Sequence, residues 1–356
     1  MPVSIPPKLR AWAAAALLLS QPVRADETPV SAEQKAAFAA FLAQYRGEAV
    51  ARGLDPAWID TTLAGAALVP RVIGADRSQP GSAARPVRFP DYLAAKFRGD
   101  RIPHGQRRFA ESRTLLAAAE AQSGVPAAVI AAIWGIETSY GRVLGRYDLP
   151  SAVATLAFEG RRRELFTGEL DALVRMVGEG RVTREQLKGS WAGAFGQTQF
   201  LPTSYLSHGR DGDGDGKVDL WASQADVFAS IGHYLKDKGW LPGENWGFRA
   251  LVPDGFVRAS VAAAEPPARC VVPLSRHSAL KPAREWKALG FTPVNAAWPA
   301  DDVPMSLIEP DGEGQGAYLV TRSYRAILGY NCSNLYALSV ALLADAISQP
   351  AVEVAK

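Results

Sequence analysis

The chain has 356 residues, of which 48% are hydrophobic, and a formal net charge of +3. This length is enough for a sizeable core and one or two domains. Three basic residues near the N-terminus, Lys8, Arg10 and Arg24, account for the whole positive excess, so the remainder is neutral. A neutral protein does not use bulk charge to find nucleic acid or an anionic membrane, so any recognition of charged groups must be local.

Residues 1–25 have the pattern of a signal peptide. Lys8 and Arg10 precede the apolar stretch AWAAAALLLS, which is too short to span a bilayer, and a small-residue cleavage signal ends at Ala25. An uncleaved anchor is the alternative, but it would need a longer apolar run. No cysteine lies near the cleavage site, so no lipid anchor is indicated. We expect an exported, soluble, periplasmic protein that starts at Asp26.

Helical patterns occupy most of the remaining chain. Apolar spacing predicts helices over 31–64, 105–122 and 126–140, and a polar, proline-rich connection separates the first two. The third begins near Pro126 and ends on Gly141, residue types that favour helix starts and stops. Further helices are predicted at 150–157, 161–178, 223–238 and 334–347.

Residues 250–325 differ from the rest, because the short β-branched pieces RALVP, CVVPL and AYLVT are broken there by proline and glycine. The sequence therefore predicts a mainly α protein with a helical domain over 26–249 and a small α/β subdomain over 250–325. Residues 326–356 would form a C-terminal helical region that returns to the first domain.

The two cysteines, Cys270 and Cys332, fit no metal-binding spacing. In an oxidising compartment they can pair and close a loop of about 60 residues, which stabilises a fold by about 4 kcal/mol in the chain-entropy estimate. The alternative is two unrelated buried thiols, and the sequence leaves both open.

One glutamate lies within an apolar run, in the stretch AAIWGIETSYGRV at 131–143. Glu137 is four residues after Ile133 and seven after Ile130, so it shares their helix face. Burial disfavours the charged form of a carboxyl group, and a protonated acid is what cleavage of a glycosidic bond needs. The alternative is a structural glutamate that pairs with a buried arginine or caps a neighbouring helix.

A second stretch, LKGSWAGAFGQTQFLPTSY at 187–205, combines glycines with uncharged polar and aromatic residues. Gly189, Gly193 and Gly196 allow close approach of the backbone to a ligand. Hydroxyl and amide side chains can hydrogen-bond sugar hydroxyl groups, and aromatic rings can stack on sugar C–H faces. The alternative is a glycine-containing turn that packs against the core.

These two stretches, followed by DGDGDGKVDLWASQADVFASIGHYL and the terminal YNCSNLYALSVALLADAI, resemble the B-type lytic murein transglycosylases, glycoside hydrolase family 103. The resemblance extends over nearly all of the chain after residue 25. It implies a lysozyme-like helical fold, no cofactor for catalysis, and Glu137 as the sole catalytic acid/base. The implied reaction cleaves the MurNAc–GlcNAc β-1,4 bond of peptidoglycan without water and leaves a 1,6-anhydromuramic acid end.

The resemblance also implies which residues bind the substrate. Ser190, Gln199 and Asn331 match positions that line the sugar site, and so do three tyrosines, Tyr234, Tyr330 and Tyr336. Tyr336 also fits an apolar helix face, and Tyr234 can be ordinary core. Arg162 and Arg163 match an arginine pair suited to the carboxylates of stem peptides. The expected partners are glycan strands and stem peptides, bound by a monomer.

An acidic loop at 211–222 follows the calcium-binding pattern D-x-D-x-D-G. Its candidate ligands are Asp211, Asp213, Asp215, Lys217 through its carbonyl, and Asp219. Position 12, which normally carries a bidentate acid, is Ala222, so another group would have to complete the shell. Asp226 is predicted to help cap the following helix. The prediction is a structural calcium, and the alternative is a surface turn.

Three functions are consistent with these features: a lytic transglycosylase, a lysozyme-like hydrolase, and a catalytically silent calcium-dependent peptidoglycan-binding protein. Glycoside hydrolases usually need a second carboxylate near the bond. No second acid lies in the stretches matched to the sugar site. Five acids lie near them in sequence: Asp148, Glu159, Glu164, Glu169 and Asp171.

Overall fold

The structure is a computed structural model that describes residues 29–79, 87–263 and 269–349. The predicted signal peptide lies outside these residues. The helices are α1 Ala32–Ala51, α2 Pro56–Leu63, α3 Pro70–Arg77, α4 Phe89–Lys96, α5 Arg101–Glu111, α6 Arg113–Ser123, α7 Ala127–Thr138, α8 Leu149–Glu159, α9 Arg163–Gly178, α10 Pro202–His208, α11 Gln224–Asp237, α12 Val271–Leu274, α13 Ala283–Ala288, α14 Arg322–Tyr330 and α15 Asn334–Ser348. The strands are β1 Tyr147–Asp148, β2 Lys188–Gly189, β3 Gly247–Leu251, β4 Lys281–Pro282, β5 Thr292–Pro293, β6 Pro304–Ile308 and β7 Ala317–Thr321. The prediction of a mainly helical protein with a smaller α/β part is confirmed.

Two of the long predicted helices are each divided into two. The helix predicted over 31–64 is α1 and α2, because Asp55 caps a new helix by accepting from the amide of Ala57 at 2.7 Å and Pro56 occupies its first position. The helix predicted over 105–122 lies within α5 and α6, which meet at Ser112. The other predicted helices are present with ends shifted by a few residues.

The described chain divides into two compact units, each assembled from two segments. Of the described residues, unit 1 comprises 29–79 and 137–230, and unit 2 comprises 87–136, 231–263 and 269–349. These boundaries differ from the predicted division at 250 and 326, which remains a prediction.

The core of unit 1 is built around α8, whose residues from Leu149 to Ala157 are all buried. Its sequence, LPSAVATLAFE, is rich in small and aliphatic side chains, which allow neighbouring helices to pack closely on every side. The helix begins at Asp148, which caps it by accepting from the amide of Ser151 at 3.1 Å. A buried, mostly apolar helix with a polar cap is therefore the scaffold of this unit.

Unit 2 contains a five-stranded antiparallel sheet in the order β4-β6-β7-β3-β5. Its core includes Phe248, Trp286, Phe291 and Leu319, and the indole of Trp286 donates to a backbone carbonyl at 3.0 Å. Strands β3 and β7 contain the predicted β pieces. The third piece, CVVPL, is the short helix α12, so its prediction as extended structure was wrong: proline lacks the amide hydrogen of a strand ladder and tolerates a first helical turn.

A disulfide joins Cys270 to Cys332 in unit 2, with their Cα atoms 5.4 Å apart. The alternative of two unrelated thiols is therefore excluded. The bond links the start of α12 to the turn between α14 and α15.

Within the described residues, no single helix combines the length and the apolar composition needed to cross a membrane. Two consecutive helix pairs, α6 with α7 and α14 with α15, pass the same test jointly, but each pair is bent by 113°.

Candidate active site

Glu137 is the second-last residue of α7 and is 7% exposed. Ile130, Ile133 and Trp134, one to two turns earlier on the same helix, are fully buried. The apolar body of the helix thus fixes the backbone that carries the carboxyl group. The predicted burial of Glu137 is confirmed, and its catalytic role stays a prediction.

The chain turns sharply directly after Glu137. Ser139, Tyr140 and Gly141 have φ values of 51°, 61° and 82°, so three consecutive residues adopt the left-handed conformation. This conformation costs about 1 kcal/mol for a residue with a Cβ, so surrounding contacts must stabilise it. Thr138 supplies two of them, because its hydroxyl donates to the carbonyl of Gln197 at 3.3 Å and accepts from the amide of Gly141 at 3.1 Å.

The bond from Thr138 connects the end of α7 to the glycine-containing segment at 187–205. A Cβ at Gly189 would lie 2.4 Å from the carbonyl oxygen of Ala194, and one at Gly196 would lie 2.7 Å from that of Leu220. These glycines are therefore required by close contacts within the protein backbone. The sequence had attributed them to close approach of a ligand.

Three polar side chains of this segment have defined partners. Ser190 accepts from the amide of Ala194 at 3.0 Å, and the amide nitrogen of Gln197 donates to the carbonyl of Trp221 at 2.9 Å. Gln199 is half-buried with a φ of 50°, and its side-chain nitrogen donates to the carbonyl of Gly196 at 3.0 Å. The same unit thus brings Glu137, Ser190 and Gln199 onto connected segments.

Two of the five neighbouring acids, the half-buried Asp148 and the buried Glu169, stabilise helix starts. Burial acts to raise the pKa of Asp148, but hydrogen bonds from Arg184 and Ser151 outweigh it and lower the pKa to about 2. Burial raises the pKa of Glu169, while its two oxygens accept from the amide and the hydroxyl of Thr203 at 2.9 and 2.8 Å in the first turn of α10.

The other three acids are paired or exposed. Glu159 forms an ion pair with Arg77 at 3.1 Å, and Asp171 forms one with Arg52 at 2.8 Å. Glu164 is exposed in the first turn of α9. Of the five acids that neighbour the predicted site in sequence, four therefore bond to other residues of the protein, and the fifth, Glu164, is exposed.

The other predicted sugar-binding residues belong to unit 2. The ring centroids of Tyr234 and Tyr330 are 4.9 Å apart, and the hydroxyl of Tyr234 donates to the carbonyl of Gly329 at 2.7 Å. Tyr336 is fully buried, which favours its alternative interpretation as a core residue of α15. Asn331 is half-buried in the turn after α14.

Residues 37–345 match the family described as the transglycosylase SLT domain. The match covers most of the chain. The chain belongs to this family.

Comparison with transglycosylases of known structure supports membership of the same family. The chain is 38% identical to SltB3 from Pseudomonas aeruginosa, whose structures contain NAG-NAM-pentapeptide or NAG-anhNAM-pentapeptide, with 87% of this chain and 79% of that one covered and a TM-score of 0.77. It is 26% identical to Escherichia coli Slt35 in complex with calcium, with coverages of 88% and 93% and a TM-score of 0.67.

Membrane-bound lytic murein transglycosylase B from E. coli is 32% identical over 238 residues. The aligned region is 65% of this chain and spans 59% of the relative, so the chain matches less than two thirds of that protein's length.

The predicted arginine pair, Arg162 and Arg163, has contacts within the protein. The guanidinium of Arg162 is an ion-pair partner of the buried Asp76, lies 4.8 Å from the ring centroid of Phe166, and has a side chain that is 17% exposed. Arg163 is exposed and lies 5.4 Å from the ring centroid of Phe41. Binding of stem peptides by these arginines stays a prediction. Of the two guanidinium groups, that of Arg163 is the more accessible to a ligand.

The acidic loop is closed by its own side chains. The two oxygens of Asp211 accept from the amides of Gly214 and Gly216 at 2.6 and 2.8 Å. Asp213 accepts from the hydroxyl of Ser223 at 2.7 Å. These bonds hold two of the five predicted ligands at the start of the loop.

Asp226 joins these two acids. Carboxylate oxygens of Asp211, Asp213 and Asp226 lie within 4.8 Å of one another, although Asp226 is only 1% exposed. Its oxygens also accept from the amides of Gly212 and Asp219 at 2.8 and 2.6 Å. The predicted cap is present in part: the hydroxyl of Ser223 accepts from the amide of Asp226 at 3.3 Å, but the amide of Ser223 donates to the carbonyl of Asp219 and not to the carboxylate of Asp226.

The sequence missed Asp226 as a candidate ligand, because it comes after the twelve positions of the usual loop. The only available signal was an acid four residues beyond Ala222. Asp215, Lys217 and Asp219 are outside the three-acid cluster. Oxygen donors from several acids, one of them buried, suit Ca²⁺, so the residues present fit this ion.

Proposed function

We propose that the protein is a lytic transglycosylase that cleaves the MurNAc–GlcNAc β-1,4 bond of peptidoglycan. The observation that carries the proposal is the position of Glu137, which is buried at a helix end whose following turn is hydrogen-bonded to the glycine-containing segment. Membership of the transglycosylase SLT family supports it, and so do the peptidoglycan fragments named with SltB3.

In the proposed reaction, Glu137 first acts as an acid and donates its proton to the glycosidic oxygen, so that the bond from C1 of MurNAc to this oxygen breaks and GlcNAc leaves with a 4-hydroxyl group. The resulting carboxylate then acts as a base toward the C6 hydroxyl of muramic acid, whose oxygen forms a bond to C1. The product is a 1,6-anhydro sugar, and Glu137 is protonated again. Because the nucleophile is part of the substrate, its effective concentration is high and no second carboxylate is needed.

The neighbouring acids support this reaction over hydrolysis. A retaining or an inverting hydrolase usually needs a partner carboxylate near the catalytic acid. Each of the five acids that neighbour the site in sequence is exposed or occupied by structural partners, as Asp148 is by Arg184 at 2.7 Å. Ser190, Gln199 and Asn331 would bind the sugars, and Arg163 the stem peptide.

A bound calcium would be structural in this proposal. The complex of Slt35 with calcium supports it, as does the cluster of Asp211, Asp213 and Asp226. The ion would join the acidic loop to the start of α11. The protein would act in the periplasm as a monomer on glycan strands and stem peptides.

The proposal is tested by incubating purified protein with peptidoglycan and weighing the released muropeptides by mass spectrometry. We expect products that end in 1,6-anhydromuramic acid. Glu137→Gln should lower turnover at least about a thousandfold, because the amide can neither donate nor accept the transferred proton. Reducing ends, one water heavier, would instead identify a hydrolase.

Glu164→Gln is the matched control, because it removes an exposed carboxylate from the same unit. It should retain wild-type turnover. A Glu137→Gln variant that folds, binds glycan and still releases muropeptides at the wild-type rate would contradict the mechanism.

A further inference from the structure

The turn between α14 and α15 carries Asn331, one of the proposed sugar ligands. It comprises residues 331–333, and its conformation is set partly by local bonds. The amide of Ser333 donates to the carbonyl of Asn331 at 2.7 Å, and the hydroxyl of Ser333 caps α15 by accepting from the amide of Tyr336 at 3.4 Å. Such a short turn has few bonds of its own, so its position depends on what it contacts.

A single segment, Cys270 to His277, holds this turn at two points. The first is the disulfide between Cys270 and Cys332, directly after Asn331. The second is the side chain of Asn334, three residues after Asn331. We call the segment Cys270–His277 the clamp.

The side-chain amide of Asn334 is buried and bonds to the clamp, and its oxygen also accepts from the hydroxyl of Tyr324 in α14 at 3.4 Å. Its nitrogen donates to the carbonyl of Pro273 at 2.8 Å, and its oxygen lies 2.9 Å from Nε2 of His277. Because the nitrogen of the amide is a donor to Pro273, the oxygen must be the acceptor from His277.

This assignment fixes the tautomer of His277. If Nε2 carries the hydrogen, Nδ1 is the acceptor, and the hydroxyl of Ser306 lies 3.3 Å from it. Burial lowers the pKa of His277 to about 4, so the ring is neutral at neutral pH. Ser306 is in β6, so the sheet of unit 2 orients His277, which in turn orients Asn334.

The side chain of Asn331 is not used in this network. The hydrogen bonds described for Asn331 involve its backbone, and its side chain is half-buried between the two points of attachment. A half-buried amide with a fixed backbone on both sides can hydrogen-bond an N-acetyl group without first being ordered, and such preorganisation lowers the cost of binding.

We propose that the clamp positions Asn331 for binding of the muramic acid residue, with His277 and the Cys270–Cys332 disulfide as positioning residues. This inference rests on the proposed transglycosylase function. Neither positioning residue is required to touch the substrate. Their contribution is therefore expected in KM, while the proton transfers at Glu137 continue at their usual rate.

The test measures kcat and KM for anhydro-product release from soluble GlcNAc–MurNAc-peptide oligosaccharides. His277→Leu removes the bond to Asn334 and should raise KM about tenfold with kcat within about twofold of wild type. His277→Gln should restore most of the loss, because its amide nitrogen can again donate to the oxygen of Asn334. The paired substitution Cys270→Ser and Cys332→Ser should raise KM in the same direction.

Trp286→Phe is the matched control, because it breaks a buried hydrogen bond to Met305 in the same sheet without touching the clamp. It should lower stability but leave KM unchanged. A KM increase of equal size in Trp286→Phe would mean that general destabilisation explains the effect, and the positioning role would be wrong.

A double-mutant cycle with Asn331→Ala decides whether the clamp acts through Asn331. We expect His277→Leu to add little to the KM of Asn331→Ala, since the positioned group is already absent. Full additivity would overturn the inference. If wild-type protein releases no anhydro products, the proposed function itself fails. If wild type is active and His277→Leu has an unchanged KM, only the clamp fails.

Discussion

His277 is a buried imidazole whose charge state is coupled to folding. Burial is the main cause of its lowered pKa; the hydrogen bond with Asn334 acts in the opposite direction, and the charge of Arg325 adds to the lowering. The pKa falls from 6.5 to about 4 in the folded protein. The folded state therefore binds this proton less readily than the unfolded state, and stability is lost as the pH falls from about 6.5 toward 4.

The pH dependence gives a prediction at this residue. Between pH 7 and pH 4.5, the wild type should lose about 2.4 kcal/mol more unfolding free energy than His277→Gln, because about two of the pKa units lie in this range and each corresponds to about 1.36 kcal/mol. Urea denaturation of both proteins at several pH values measures the difference, and acid effects common to both cancel in it. Parallel stability curves would contradict the prediction.

Residue-scale predictions succeeded where periodicity was informative. The spacing of Glu137 from Ile130 and Ile133 predicted its burial, because neighbours on one helix face are fixed by the helix itself. For Tyr336, the resemblance implies a position at the sugar site and the structure buries the side chain fully, so its role in binding stays a prediction. The partner of Asn334 could not be predicted, because His277 is far from it in sequence.

At the scale of elements, the acidic loop and α11 form one unit through Asp226. This residue is in the first turn of α11, yet it accepts from the amides of Gly212 and Asp219 in the loop. Three acids so close together repel one another, and a divalent cation would remove this repulsion. A cation would therefore stabilise the loop and the start of the helix together.

Calcium should raise the melting temperature of the wild type. At a calcium concentration of 100 times Kd, the expected stabilisation is about 2.7 kcal/mol. Asp226→Asn keeps the shape of the side chain but replaces one carboxylate oxygen with an NH2 group and removes the charge, so it should lose most of this increase. Asp237→Asn, at the exposed end of α11, should keep it. An equal calcium response in wild type and Asp226→Asn would exclude Asp226 as a ligand.

Element boundaries were predictable only where the chain carries a local signal. Gly124, with a φ of 74°, caps the end of α6, two residues beyond the predicted end at 122, and apolar spacing placed the body of α7 correctly. The breaks at Pro56 and Ser112 were missed because helical spacing continues on both sides of each break. The turn after Thr138 depends on its bond to Gln197, which no local pattern encodes.

At the scale of the whole molecule, the two units combine distant parts of the chain. Residues 137–230 belong with the N-terminal part, whereas 85–136 belong with the C-terminal part. Helix content follows from local spacing, and the fold class was therefore predictable. The two units depend on packing between segments that are distant in sequence. A prediction of domains as consecutive stretches of the chain does not represent such packing.

The disulfide makes part of this molecule a covalent ring. Cys270 and Cys332 are 62 residues apart in sequence, and the exposed turn with Gly312, Glu313 and Gly314 lies between them. A protease that cuts once after Glu313 would therefore leave both pieces joined. Gel electrophoresis should show one band of unchanged mass without reductant and two fragments with it. The strands on either side of the cut would stay tethered, so a nick that would release the C-terminal helices of a linear chain leaves this chain in one piece.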